Sequence, residues 1–233
     1  MQIVVTDRWR KTFPGAHVGV LLAANVDNTG RVTPLDDRKR EVETRLRERY
    51  TGLDRAELLE LPVLKTYRDF YRAFGNTYHV QLQLESVVHK GKALPSVSPL
   101  VDANFVAELQ TLVLTAGHDA DLLEGPLTLD ASSGGETFVQ MSGAEKALKP
   151  GDMMMSDRRG IVCTVLYGQD GRTPISAATR RALYVAYAPA GVPVAAVEEQ
   201  LGTISDNVGL FTPEAVVELL ELYAAGGANR PSV

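Results

Sequence analysis

Any chemistry in this sequence rests on single polar residues rather than on one compact motif. His118 stands in Gly117-His118-Asp119. A neutral imidazole near pH 7 can orient a water molecule or take its proton. Asn104 offers a carboxamide that can donate to a developing oxyanion or hold an amino group. Each residue also has a plainer reading, His118 as a local capping histidine and Asn104 as a satisfied polar group inside a helix. Cys163 is the single cysteine, so no intrachain disulfide can form. It lies in the apolar run 160–166, which suits a small buried hydrophobe more than a reactive thiol. Gly134-Gly135 offers either a turn or a small backbone nest for an anion.

Other chemistries lack their signatures. His17, His79, His89 and His118 are scattered, and no pair has the spacing of zinc ligands. There is no phosphate-binding loop, dinucleotide fingerprint or nucleophile elbow. No metal and no cofactor is expected.

The elements that would position these residues follow from periodicity and punctuation. Strands are expected at 3–5 and 18–24, then a helix from Thr33-Pro34 to about Tyr50, with Thr33 as its cap. That helix mixes acidic and basic residues, which reads as a solvated face laced with ion pairs or as a stripe facing RNA. Leu64, Tyr67, Phe70, Tyr71 and Phe74 recur at steps of three and four, predicting a helix over 62–74 closed by Gly75. Another is expected near 78–90. A further helix opens at Ser98-Pro99, carries Asn104 and ends near Ala116-Gly117, so that His118 starts a loop. Strand-like runs follow at 127–130, 137–140, 153–156, 161–166 and 182–187, separated by turns that include Gln169-Asp170-Gly171. Helices are expected again near 194–204 and 212–224. Helices first, strands later and helices last argue for an α/β fold of the α+β type, not a regular βαβ repeat. The expected organisation is an N-terminal extension over residues 1–60 packed on a main domain over 61–225, with a flexible tail at 226–233.

Composition sets wider bounds. The 233 residues are 45% hydrophobic and 23% charged, ordinary for a globular protein. The net charge of −5 argues against strong non-specific binding to DNA or RNA, and no DNA partner is expected. The first residues lack a signal peptide's basic start and apolar core, and no apolar stretch nears the ~20 residues of a membrane helix. A cytoplasmic protein with no membrane partner is the expectation.

Taken in order, several segments form a recognisable series. Gly91-Lys92-Ala93-Leu94-Pro95 leads into Val101-Asp102-Ala103-Asn104; Gly117-His118-Asp119 is followed by Glu124-Gly125-Pro126-Leu127. Then come Ser133-Gly134-Gly135-Glu136-Thr137-Phe138, Pro150-Gly151-Asp152 and Thr179 before Ala182-Leu183-Tyr184-Val185. This series, over about 67–187, resembles the B3/B4 domain, the editing module of the phenylalanyl-tRNA synthetase β subunit, and is similar above all to free-standing proteins carrying that domain. The resemblance implies a layered β/β/α fold and a cleft for the aminoacyl 3′ end of a tRNA, or for an amino-acid-like ligand. It implies Asn104 and His118 as catalytic residues, with Gly117, Gly134, Gly135, Cys163 and Thr164 around the substrate. One departure stands out. The synthetase pocket carries a glutamate that recognises the tyrosine hydroxyl, where this chain has Leu183-Tyr184-Val185.

Three functions follow as expectations. The first is a trans-editing hydrolase that deacylates mischarged tRNA. The second is a non-catalytic module binding tRNA or an amino acid, and the third is a hydrolase of another small ester or amide. The 233 residues leave no room for an aminoacylation core as well, so synthetase activity is not expected.

Overall fold

The computed structural model describes residues 1–226 and the backbone of Arg230–Pro231. The expected tail at 226–233 falls mostly outside the described residues. The chain opens with β1 (Ile3–Val5) and a short α1 (Asp7–Thr12), whose first turn is fixed by the Thr6 hydroxyl accepting from the Trp9 amide at 3.0 Å. β2 (His17–Ala24) is buried at every position but the first, the pattern of a strand covered on both faces. α2 (Thr33–Arg49) has Pro34 in its first turn; the cap position falls on Val32 rather than Thr33, and no side chain caps it. α3 (Arg55–Leu58) starts with a reciprocal capping box between Asp54 and Glu57. α4 (Pro62–Ala73) buries Leu64, Tyr67 and Tyr71, the face its periodicity predicts. α5 (His79–Val88) follows, with Tyr78 stacked on Tyr67 at 4.4 Å between ring centroids.

α6 (Pro99–Thr111) corrects the sequence reading. It ends one turn earlier than expected, because Leu112 takes a left-handed conformation with φ of 63°. An apolar residue there is uncommon and leaves no sequence signal. The chain then enters β3 (Thr115–Asp119), so His118 sits in a strand rather than at a loop start. Next come β4 (Leu127–Ala131), β5 (Thr137–Val139), β6 (Glu145–Ala147), β7 (Met153–Asp157), β8 (Gly160–Thr164), β9 (Gly168–Gln169) and β10 (Arg181–Ala188). The chain continues through α7 (Val194–Gly209), β11 (Val216–Ala224) and β12 (Arg230–Pro231). β11 is a second correction, since this stretch read as a helix. Val216, Val217, Leu219, Leu220, Leu222 and Tyr223 fit a helical period as well as a strand. The strand wins by pairing along all of β2, with a register shift between Val217 and Leu219.

The strands make two five-stranded sheets, in the orders β1-β4-β7-β8-β9 and β12-β11-β2-β10-β3, and a separate β5-β6 hairpin. β1 runs parallel to β4, and the remaining pairs are antiparallel. α6 and α7 cover the outer face of the second sheet. α7 lies so close to β2 that a Cβ at Gly19 would sit 2.6 Å from Val197 Cγ1 and 2.8 Å from Leu201 Cδ1. On the inner face, Tyr187 of β10 meets Cys163 of β8. This is a mixed α/β fold layered as sheet, sheet and helices. Residues 1–60 are not an appended layer: β2 is the central strand of the second sheet, and β1 pairs within the first. Their apolar runs complete a core that the rest of the chain leaves open.

Candidate functional site

β3 carries the polar residues of interest on two opposite faces. Successive strand side chains alternate in direction. Thr115 turns toward the helices, where its hydroxyl receives Gln200 Nε2 at 2.9 Å. His118, three residues later, turns inward to the other sheet and is fully buried. The Thr173 hydroxyl donates to Asp170 Oδ1 at 2.6 Å, so its oxygen accepts from His118 Nδ1–H at 2.8 Å. Asp170 is held in turn by Arg172 Nε at 2.9 Å, and Arg172 also binds Asp157 at 3.1 Å. This chain of contacts fixes the tautomer and leaves Nε2 with a lone pair that has no partner. Burial pushes the imidazole down to about 4, so it is neutral at pH 7. Asp119 does not join it; its carboxylate accepts from Thr179 Oγ1 at 2.7 Å.

The helix face is different. Asn104 Nδ2 donates to the Thr115 carbonyl at 3.1 Å, and Asn104 Oδ1 accepts from Gln200 Nε2 at 3.3 Å. Gln200 Oε1 accepts from the Thr111 hydroxyl at 2.5 Å. Glu108 takes the Thr115 amide at 2.7 Å, and burial raises its carboxyl to about 8, so it is mostly protonated at neutral pH. Asn104, Thr111, Thr115 and Gln200 thereby tie α6, α7 and the start of β3 into one buried knot. The structure does not bring Asn104 and His118 together: one sheet lies between them.

The remaining expected site residues are also dispersed. Cys163 and Thr164 are both buried, but as successive strand residues they face opposite ways: Cys163 lies between the sheets, and Thr164 turns to the other face, where its pair Met154 packs with Phe138 and Leu148. The thiol faces the Thr164 carbonyl at 3.6 Å and is raised to about 12, mainly by burial, so it stays protonated. Thr164 Oγ1 receives the Tyr167 amide at 3.0 Å. Near them Asp152 is fully buried, with Oδ1 accepting from the Leu166 amide at 3.2 Å and Oδ2 without a partner. Burial lifts this carboxyl to about 7. The Gly134-Gly135 turn uses φ values of 99° and 87°, open to glycine. Its Gly134 amide already binds Glu136 Oε2 at 2.8 Å, and Ser133 N and both serine hydroxyls also donate to that carboxylate. Burial opposes the charge, but these donors outweigh it and hold Glu136 at about 2. The anion in this nest is therefore the chain's own. Gly117 lies under Ile175, whose Cδ1 would be 2.9 Å from a Cβ there.

Sequence reading missed Thr173 and Asp170, the residues that orient His118. Asp170 stood in plain sight within Gln169-Asp170-Gly171 but carries the signature of an ordinary turn. Among the described residues, no three His, Cys, Asp or Glu side chains gather as a metal centre requires, and no helix is long and apolar enough to cross a membrane.

Comparison with known proteins is consistent with this architecture. The model of the B3/4 domain family matches residues 66–221. The phenylalanine–tRNA ligase β subunit of Leifsonia xyli subsp. xyli (strain CTCB07) is 27% identical over 145 residues, covering 58% of this chain and 17% of that subunit. The crystal structure of an N-terminal fragment of the phenylalanyl-tRNA synthetase β subunit from Pyrococcus horikoshii has a TM-score of 0.51 at 9% identity, covering 99% of this chain and 54% of the fragment. This chain thus spans a small part of the ligase subunit and about half of the solved fragment.

Proposed function

This chain belongs to the B3/4 domain family, and on that premise we propose that it binds the aminoacyl end of a tRNA and hydrolyses the ester there. The observation that carries the catalytic part is the unpartnered Nε2 of His118, held in one tautomer by Thr173 and Asp170. An aminoacyl ester is already activated, so the protein's task is to place it and one water molecule. The water oxygen adds to the ester carbonyl carbon while His118 Nε2 takes its proton. The tetrahedral intermediate then expels the ribose oxygen, which takes that proton from the imidazolium and leaves as a hydroxyl. Thr173 and Asp170 keep Nδ1–H directed away from the reaction and stabilise the imidazolium as it forms. Because His118 is fully buried, turnover on this reading requires the segment carrying Thr173 and Ile175 to part from β3. Asn104 has its carboxamide engaged at both ends and serves as scaffold here, not as an oxyanion donor.

The test is release of amino acid from a panel of aminoacyl-tRNAs by the whole chain. His118→Ala is expected to abolish release, and Thr173→Val to lower its rate about tenfold or more through loss of the fixed tautomer. Asn104→Ala is expected to retain the rate wherever the protein stays folded. Absence of release from every member would overturn the catalytic reading.

A second reading, binding of the aminoacyl end without hydrolysis, has its own support. Val185 is fully buried on the inner face beside Ala116 and supplies no carboxylate, and the same layer encloses His118. Equilibrium binding of an aminoacyl-tRNA with the ester left intact would select it.

A further inference from the structure

A groove of about 380 Å³ runs between α2, α6 and α7, lined by Val42, Arg45, Leu46, Arg49, Gln110 and Glu199. Its floor is apolar, since Val42 and Leu46 belong to the core. Its rim is cationic in an unusual way for this helix, where most charges are already committed. Lys39 is buried against Asp102 at 2.9 Å, Arg40 pairs with Asp37, and Arg47 reaches Glu43 and the carbonyls of Val87 and Lys92. Arg45 touches only Glu41 of its own helix, at 3.5 Å, an exposed pair of small worth. Arg49 has no ion pair among the described residues; its guanidinium rests over the Tyr50 ring, 5.4 Å from the centroid. Opposite them, Gln110 Oε1 is buried without a donor, and Glu199 is exposed with no basic partner among the described residues.

The groove thus sets two guanidinium forks beside two acceptors. A simple anion would satisfy the arginines but meet Glu199. A sugar phosphate satisfies both sides, with its phosphate on the planar guanidinium donors and its hydroxyl hydrogens on Gln110 and Glu199. The other charged cavity at α2, lined by Arg31, Asp36 and Asp102, offers no such vacancy, because Arg31 already binds Asp36 and Asp102 binds Lys39. We infer that the groove between α2, α6 and α7 holds a ribose-phosphate unit of an RNA backbone. It lies on the helix side of the molecule, away from His118, and gives the tRNA body a foothold separate from its aminoacyl end. This rests on the reading of tRNA as partner.

The experiment is titration of uncharged tRNA with the whole protein at several salt concentrations, comparing wild type, the Arg45→Ala/Arg49→Ala double variant and Arg72→Ala. Arg45, Arg49 and Arg72 are exposed, so the fold is not at stake. The double variant is expected to bind about tenfold more weakly, with a salt dependence shallower by about one logarithmic unit per decade, while Arg72→Ala binds as wild type. Gln110→Leu is expected to weaken RNA without changing the affinity for a DNA of the same sequence. Equal binding by wild type and the double variant, or an equal loss in Arg72→Ala, would overturn the groove and leave tRNA as the partner. No tRNA binding by wild type removes the underlying reading and the groove with it.

Discussion

The two faces of β3 are both buried and both polar, yet they are finished differently. On the helix face, Asn104, Thr111, Thr115 and Gln200 exchange hydrogen bonds so that each side chain has its partner. On the sheet face, His118 Nε2 is left without one. A closed polar network holds elements in register, and breaking one member strands the rest. A bare acceptor costs about 1–3 kcal/mol to bury, so it adds nothing to the hold of one element on another. The contrast separates the two residues that sequence reading had grouped: Asn104 is tied into the framework, and His118 keeps one ring nitrogen without a partner.

The largest test of this contrast is Gln200→Leu. It removes three buried hydrogen bonds at once, to Thr111, Asn104 and Thr115, and leaves Asn104 Oδ1 without a donor, so it is expected to cost about 3–4 kcal/mol in urea unfolding. A loss below about 0.5 kcal/mol would mean that the helix face is no knot at all. Glu108 gives a second test through pH. Its folded carboxyl titrates at about 8 against 4.5 when exposed, so its contribution is complete below pH 4.5 and is lost as pH rises through 8. Glu108→Gln should remove that alkaline loss, gaining on wild type by about 3 kcal/mol between pH 5 and pH 7.5.

His118 has the opposite sign. Its folded value lies near 4, below the ordinary 6.5, so stability is complete above pH 6.5 and falls as the medium acidifies toward 4. Denaturation curves of His118→Gln should lack about 2–3 kcal/mol of that acid loss. If wild type and variant keep parallel profiles, the imidazole is not sealed between the sheets and the bare Nε2 loses its meaning. The smallest effect is at Gly19, where alanine presses on Val197 and Leu201 beneath the knot and should lower stability by about 1–2 kcal/mol.

Much of the architecture was legible in advance because local signals and tertiary need agree. The aromatic stripe of α4, the positive-φ glycines at 75 and 91, and the unbroken apolar run of β10 all say locally what the fold requires. The failures fall where only a distant partner decides. Val216–Ala224 has a spacing that serves helix or strand, and β2, nearly two hundred residues earlier, selects the strand. Leu112 ends α6 in a conformation no apolar side chain announces, and this displaced His118 from loop to strand. Asn104 and His118 were readable as polar positions in an ordered series, but the sheet between them was not. Thr173 and Asp170 were invisible as a pair because an Asp before Gly is the common mark of a turn.

The place of β2 has a consequence for how this protein can be divided. The region that matches the family begins at residue 66, yet β10 and β11 never touch as neighbours; a strand from residues 17–24 fills the slot between them. A fragment cut at the limits of the match would have a gap one strand wide, about 4.8 Å, in the middle of its second sheet. It would also expose a ladder of unpaired amides to any passing chain. The recognisable stretch is thus shorter than the piece that closes the second sheet, which takes in residues 17–24.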